Sequence, residues 1–228
     1  FTVTGTGAQT NLFAFNWPLG SNARIGLSAI DGNSNNSRGN ILSNSGFESW
    51  TSNVPNKFSL DIGVAGTNVI QENSVNYDGV SSCRITGDAT GTLSQIRQQF
   101  GNSAGTPGSL GPLNQSGFNL FARRDGIAAA AGVLTIELVD STGTVIRDAK
   151  NVANSFTIDL TALTVFYSSF TGVFRTPNIL PASQFLRLRL STALSNGRSI
   201  YLDKMSLGVM SQVYSSGPFL SLHAGSVL

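Results

Sequence analysis

The sequence predicts an all-β protein: an antiparallel two-sheet jelly-roll β-sandwich preceded by an extended N-terminal arm. Three observations carry this expectation. From residue 41 onward, short segments alternate apolar and polar residues with the period of a half-buried strand. Clusters of Gly, Asn, Asp and Ser separate those segments at sandwich-like spacing. No segment carries a convincing helical period.

Residues 1–40 read as an arm and linker, with extra strands of the same sandwich as the alternative. Phe1–Gly7 alternates like a strand, and Leu12–Pro18 is aromatic and ends at a proline. The two glycines near the start lack the third glycine and the following helix of a dinucleotide loop. Asp31–Ser37 is a polar linker. Residues 41–210 form the sandwich and 211–228 a docking tail. The stretch Asn44–Trp50 and the stretch Ser199–Leu207 are expected as its first and last strands, side by side, bringing Glu48 towards Asp203.

Between them, Phe58–Ile62 alternates. Asn76–Gly79 is a turn, and Ser81–Thr86 is a strand with Cys83 and Ile85 on one face and Arg84 on the other. In Leu93–Phe100, Ile96 and Phe100 oppose Gln95, Arg97 and Gln99. Residues 101–117, rich in Gly, Pro, Ser and Asn, read as a long loop. Phe118–Arg124 resumes a strand. Ala128–Ala131 allows a helical turn, but Gly126 and Gly132 bracket it too closely for a stable helix. Gly132–Asp140 is a strong strand turning at Ser141–Gly143. Ser155–Leu160 and Val165–Phe174 follow. Gln184–Leu190 alternates with leucines inward and Arg187 and Arg189 outward. Asn196-Gly197 turns into the final strand.

Composition narrows the function. Of the 228 residues 40% are hydrophobic, adequate for a core, and only 11% are charged. The average for soluble domains is roughly 25%. Gly, Ser, Thr and Asn fill the difference, a mixture suited to exported or particle-forming proteins. The net charge is +2, and lysine occurs only at Lys57, Lys150 and Lys204, so no basic cluster tracks a nucleic-acid backbone. The single cysteine, Cys83, excludes an internal disulfide and reads as a core residue. No apolar run approaches the length of a membrane span. The chain opens on Phe1 without a methionine, which points to a processed product, a fragment or the ordered part of something longer.

Catalytic chemistry finds little to work with. Glutamate occurs only at Glu48, Glu72 and Glu137, and Glu137 alternates with core residues. Most aspartates sit beside Gly or Ser, as turn residues do. The single histidine, His223, lies in the tail, against a histidine triad or zinc site. The expectation is a protein that is not an enzyme. Binding residues are easier to find. Trp50, Phe58 and Tyr77 are possible platforms for a pyranose ring, with core packing as the alternative reading of each. Arg84, Gln95, Arg97, Gln99, Arg187 and Arg189 are outward donors that would line one surface if their strands share a sheet. Such donors suit hydroxyls, carboxylates and sulfates of glycans, with an ordinary solvated face or an inter-subunit contact as the alternative reading.

Five stretches in order resemble carbohydrate-binding modules of families 4, 9 and 22, jelly rolls of the galactose-binding-like class, over about residues 41–209. They are Ile41–Trp50, Val54-Pro55 with Phe58, Asp78–Ile85, Val165–Phe174 and Ile200–Leu207. The resemblance implies a glycan-binding module and, near the paired ends, a structural calcium with Glu48 and Asp203 as side-chain ligands. Lys204 stands where that family often has a second acidic residue, and a lysine there can substitute a salt bridge for the ion. Two functional readings remain. One is an adhesion or structural module of an exported or phage-particle assembly, of decoration or tail-fibre type, at an extracellular or virion surface. There the arm and the apolar tail Gly217–His223 would contact other protein subunits. The other is a polysaccharide-binding module appended to a secreted glycoside-active enzyme.

Overall fold

A computed structural model describes residues 40–100, 110–112, 115–126 and 131–209, with the backbone of two short strands near the N-terminus. The chain divides into two units, Gly39–Ser211 and the pair of ends Phe1–Arg38 with Gln212–Leu228. In the second, β1 (Thr2–Val3) pairs antiparallel with β2 (Phe13–Ala14). The expected docking of the arm, the tail Gly217–His223 and most of Ala128–Ala131 lie outside the described residues.

The unit Gly39–Ser211 is all-β. Its strands are β3 (Trp50–Thr51), β4 (Val54–Pro55), β5 (Phe58–Ile62), β6 (Val69–Glu72), β7 (Ser82–Thr86) and β8 (Gln95–Phe100). They continue as β9 (Gln115–Arg124), β10 (Val133–Val139), β11 (Ser155–Asp159), β12 (Ser168–Arg175), β13 (Gln184–Leu190) and β14 (Ser199–Val209). One five-stranded sheet has the order β11-β10-β13-β8-β5 and the other β12-β9-β14-β7-β6, every pairing antiparallel. β3 and β4 form a small separate hairpin. Among the described residues the only helical element is a 3-10 turn, Leu160–Ala162, where the Asp159 side chain accepts from the Thr161 N–H.

Alternation decides the layers. Leu134, Ile136 and Leu138 of β10 and Leu186, Leu188 and Leu190 of β13 point inward from one sheet. They meet Phe118, Leu120 and Ala122 of β9 and Ile200 and Leu202 of β14 from the other. Each such aliphatic or aromatic side chain contributes about 1.5–3 kcal/mol when taken from water. Cys83 and Ile85 are buried on β7 as expected, and Arg84 points outward.

The opening strand departs from expectation. Residues 40–45 do lie along β14: Ile41 N–H donates to Leu207 O and Met205 N–H to Ser45 O. Asn40 ties the same join, receiving the Leu207 N–H and donating to Met205 O. The chain then leaves the sheet in turns, with Asn44 and Phe47 at positive φ, and reaches strand geometry only at Trp50. Two other boundaries move. β9 begins at Gln115, so the long loop is shorter than 101–117, and β6 was not anticipated.

β14 carries a bulge. Asp203 lies opposite Phe121 and Ser206 opposite Asn119, so one extra residue is accommodated, with Lys204 at φ 44°. Leu202 and Met205 both stay in the core, while Asp203 and Lys204 are delivered together to the outer side.

Candidate functional site

The outer side of the β10-β13-β8-β5 sheet collects the polar residues that alternate with the core. In register, Glu137 faces Arg187, Arg187 faces Arg97, and Arg97 faces Ser59. The next row places Thr135 opposite Arg189 and Arg189 opposite Gln95, and Phe185 lies opposite Gln99. Five of the predicted binding residues, Gln95, Arg97, Gln99, Arg187 and Arg189, therefore share one face.

Its centre is an ion cluster. Arg187 Nη2 lies 2.6 Å and Nε 2.9 Å from Glu137 Oε2, and Arg189 Nε approaches the same oxygen at 2.9 Å. Arg187 Nη1 also donates to Gly143 O at 3.0 Å. The Glu137 side chain is only 5% exposed although it sits on the outer side, because both guanidiniums cover it. Burial pushes its pKa up, but hydrogen bonds and charge from Arg189 and Arg187 outweigh that and hold it below the usual carboxylate range. At the sheet edge Asp61 pairs with Arg97 at 3.1 Å and receives the Gln95 amide at 3.0 Å. The Arg97 Nε contact with Asp61 lacks hydrogen-bond geometry, so this buried donor has no hydrogen-bond partner. Arg97 also lies over the Phe185 ring, 4.7 Å from its centroid. Three guanidiniums thus face two carboxylates, leaving a surface rich in donors with a small positive excess.

The remaining predicted platform residues lie elsewhere. Arg84 is on β7 of the opposite sheet, where Glu72 pairs with it at 2.8 Å, so it does not join the face above. Trp50 is committed to structure: its Nε1–H donates to Phe47 O and its ring packs on the core. Tyr77 is 46% exposed but stacks on Phe121 at 4.0 Å, with Lys204 Nζ 5.6 Å from its ring centroid. Phe58 is buried against Phe47. Trp50 and Phe58 are thus engaged by the protein itself, while Tyr77 keeps an exposed part.

Glu48 and Asp203 converge on one loop. Asp203 Oδ2 accepts the Tyr77 and Asp78 N–H groups and Oδ1 accepts that of Lys204. Glu48 Oε2 accepts the Val80 and Ser81 N–H groups. Asp203 is fully buried; desolvation raises its pKa despite these amides, and the Glu48 charge adds to the rise. Lys204 does not neutralise the pair, since its Nζ goes to Asp78 at 2.7 Å. Glu48 Oε1 takes no hydrogen bond from the described residues and lies against Gly79, where a Cβ would overlap it. An excess of negative charge and a carboxylate oxygen without a donor among the described residues fit a hard cation. No group of three or more His, Cys, Asp or Glu side chains gathers around a metal position among the described residues. An ion here would therefore draw most of its shell from backbone carbonyls and water.

Sequence reasoning missed Glu137 and Asp61 as members of the face. The alternation of Val133–Val139 held the signal: with Leu134, Ile136 and Leu138 inward, Thr135 and Glu137 must point outward.

No known family profile matches the chain, and no curated protein matches it significantly. Solved structures do match in three dimensions. TmCBM61, solved in complex with β-1,4-galactotriose, aligns with a TM-score of 0.50 and 12% identity over 75% of this chain and 99% of that one. This sandwich has the fold of a carbohydrate-binding module. The module-like sandwich also aligns with the enzymatically active domain of tailspike protein 4 from bacteriophage CBA120, with a TM-score of 0.51 and 14% identity. That match covers 75% of this chain and 21% of the tailspike chain. An arabinose-bound α-L-arabinofuranosidase, MgGH51, aligns with a TM-score of 0.52 and 18% identity over 75% of this chain and 26% of the enzyme. The chain therefore spans about a fifth to a quarter of these two large proteins and nearly all of the module.

Proposed function

We propose that the chain is a non-catalytic glycan-binding module of an exported or phage-particle protein, and that polysaccharide lies across the outer face of β10, β13, β8 and β5. The observation that carries this reading is the Glu137–Arg187–Arg189 cluster, a nearly buried carboxylate on the solvent side of a sheet. Ion clusters of this kind contribute little net stability compared with apolar packing, so their presence points to a role beyond folding. The chemistry suits sugars. Asp61 accepts from hydroxyls, while Arg97, Arg189, Gln95 and Gln99 donate to them, and Glu137 holds Arg187 and Arg189 in place beneath. A carboxylate held ionised between two arginines is poorly placed to donate a proton at neutral pH, which supports binding rather than hydrolysis. The fold shared with a module solved with a galactotriose, and with part of a phage tailspike, supports the setting at an extracellular or virion surface.

The test is a glycan array read with the native chain and with Arg97→Ala combined with Arg189→Ala. Binding that is present in the first and lost in the second supports the assignment. Binding unchanged in the double variant removes this face as the site.

Glu48 and Asp203 would hold calcium at the join between the start of the sandwich and β14, where the ion would cancel their charge and fasten the loop 77–81. The arm and tail are proposed as contacts to other subunits of the assembly. This is checked by light scattering of the full chain against one lacking 1–38 and 212–228, the larger species being expected only for the full chain.

A further inference from the structure

The opposite sheet carries a second row of chemistry that the proposed glycan face does not use. Register places Tyr167 beside Arg123, since its neighbour Ser168 pairs with Ala122; Arg123 faces Tyr201, and Tyr201 faces Arg84. Tyrosine and arginine therefore alternate in one row, from Tyr167 just before β12 across β9, β14 and β7. The two arginines differ in their partners. Arg84 is neutralised by Glu72 at 2.8 Å. Arg123 has no carboxylate partner among the described residues: its Nε donates to Arg124 O at 3.2 Å, and neither Nη makes a hydrogen bond. Its guanidinium instead sits between two rings, 5.8 Å from the Tyr167 centroid and 5.5 Å from that of Tyr201.

The neighbouring charges are committed. Asp203, one register step away on β14, is bound by three backbone N–H groups, and Lys204 is paired with Asp78. Aromatic walls exclude water from a guanidinium without neutralising it, and its planar fork matches a carboxylate through two parallel hydrogen bonds. The next outward row on β9 is Phe121, opposite Asp203 and stacked on Tyr77, and further along the same side Ser169 donates to Asn119 at 3.1 Å.

We infer that Arg123, framed by Tyr167 and Tyr201, is a binding site for the carboxylate of an acidic saccharide, on the sheet opposite the face proposed above. The Asn119–Ser169 pair along the same side offers hydrogen-bonding groups to the hydroxyls of a saccharide chain, which favours a sugar acid over an acidic peptide.

The experiment compares oligogalacturonate with its methyl ester, the same backbone without the charge, by titration calorimetry and by backbone amide shifts. The native chain is expected to prefer the acid by at least about tenfold, the worth of one charge-assisted fork. Shifts are expected at Phe121, Arg123 and Tyr201. Arg123→Gln should bring the acid to the level of the ester, and Arg123→Lys should recover only part of the preference. Arg147→Gln, at the bridge to Ala153 and outside both faces, removes a positive charge of the same kind and should leave the preference intact. Equal binding of acid and ester by the native chain overturns the inference. So does a preference that survives Arg123→Gln, or acid-induced shifts confined to β10 and β13.

Discussion

Replacing Glu137 by glutamine tests the centre of the proposed face as a physical object, whatever its ligand. The substitution keeps the shape and one acceptor but removes the charge between Arg187 and Arg189. The side chains of Glu137 and Arg187 are 5% and 14% exposed, whereas Arg189 is 40% exposed. Breaking a buried pair typically costs about 3–5 kcal/mol through the charge left behind. Arg187 keeps Gly143 O and the glutamine oxygen as acceptors, so about 2–3 kcal/mol is the expected share of this pair. The half-exposed Arg189 adds no more than about 1 kcal/mol. For a unit of this length, a total near 3 kcal/mol lowers Tm by roughly 6–12 °C. Urea denaturation and a thermal scan at neutral pH measure it. The pH dependence supplies an independent check. Because the pKa of Glu137 is depressed on folding, its stabilisation is complete above the unfolded carboxylate value and fades as pH falls through the folded one. The gap between native and variant should therefore close in acid. A loss below about 0.5 kcal/mol at neutral pH, or a gap that persists at low pH, would refute the account of Glu137 as a desolvated charge held by two arginines.

Further outcomes follow from the same geometry. Calcium in about tenfold excess over its dissociation constant should add about 1.4 kcal/mol and raise Tm by a few degrees. A chelator should reverse the gain and Glu48→Gln should abolish it; no response in the native chain would show that amides alone hold the corner. Gly87→Ala is expected to cost more than about 2 kcal/mol, because its Cβ would collide with the Leu194 and Ser195 carbonyl oxygens, which are backbone and cannot rotate away; a near-native denaturation midpoint would contradict this. Cys83 is fully buried and desolvation pushes its thiol pKa up, so a thiol reagent should label it only as fast as the sandwich opens. Asp203 behaves oppositely to Glu137. Its raised pKa means that its ionised form opposes folding at neutral pH and that acid relieves the penalty, so Asp203→Asn should remove that relief and steepen the loss of stability in acid.

Much of this architecture is written in period-two alternation. Gln184–Leu190 matches β13 residue for residue, and Cys83 with Ile85 fixed the side of β7. Alternation assigns a residue to a side of its strand but not a strand to a sheet. That is why Arg84 could be grouped with Arg97 when the two point out of opposite layers. Val69–Glu72 lacks alternation, its tail reading as two polar residues, so β6 left no pattern to recognise. Glu137 was hidden differently. Alternation turns it away from the core, and only the arginines of a strand some fifty residues away explain how a carboxylate on the outer side comes to be nearly buried. The convergence of Glu48 and Asp203 was legible because it belongs to the chain's opening and closing stretches. The amides that hold them belong to a loop whose course sequence alone does not trace.

The join between residues 40–45 and β14 has a mechanical corollary. Because Ile41 and Ser45 run antiparallel to Leu207 and Met205, tension on the two exits of the sandwich would load these few hydrogen bonds one after another, like a zipper, rather than all at once. A host polypeptide stretched by flow or attachment would peel this seam at low force before disturbing the leucine-packed layers beneath it, so the sandwich would yield first where it is most easily re-formed.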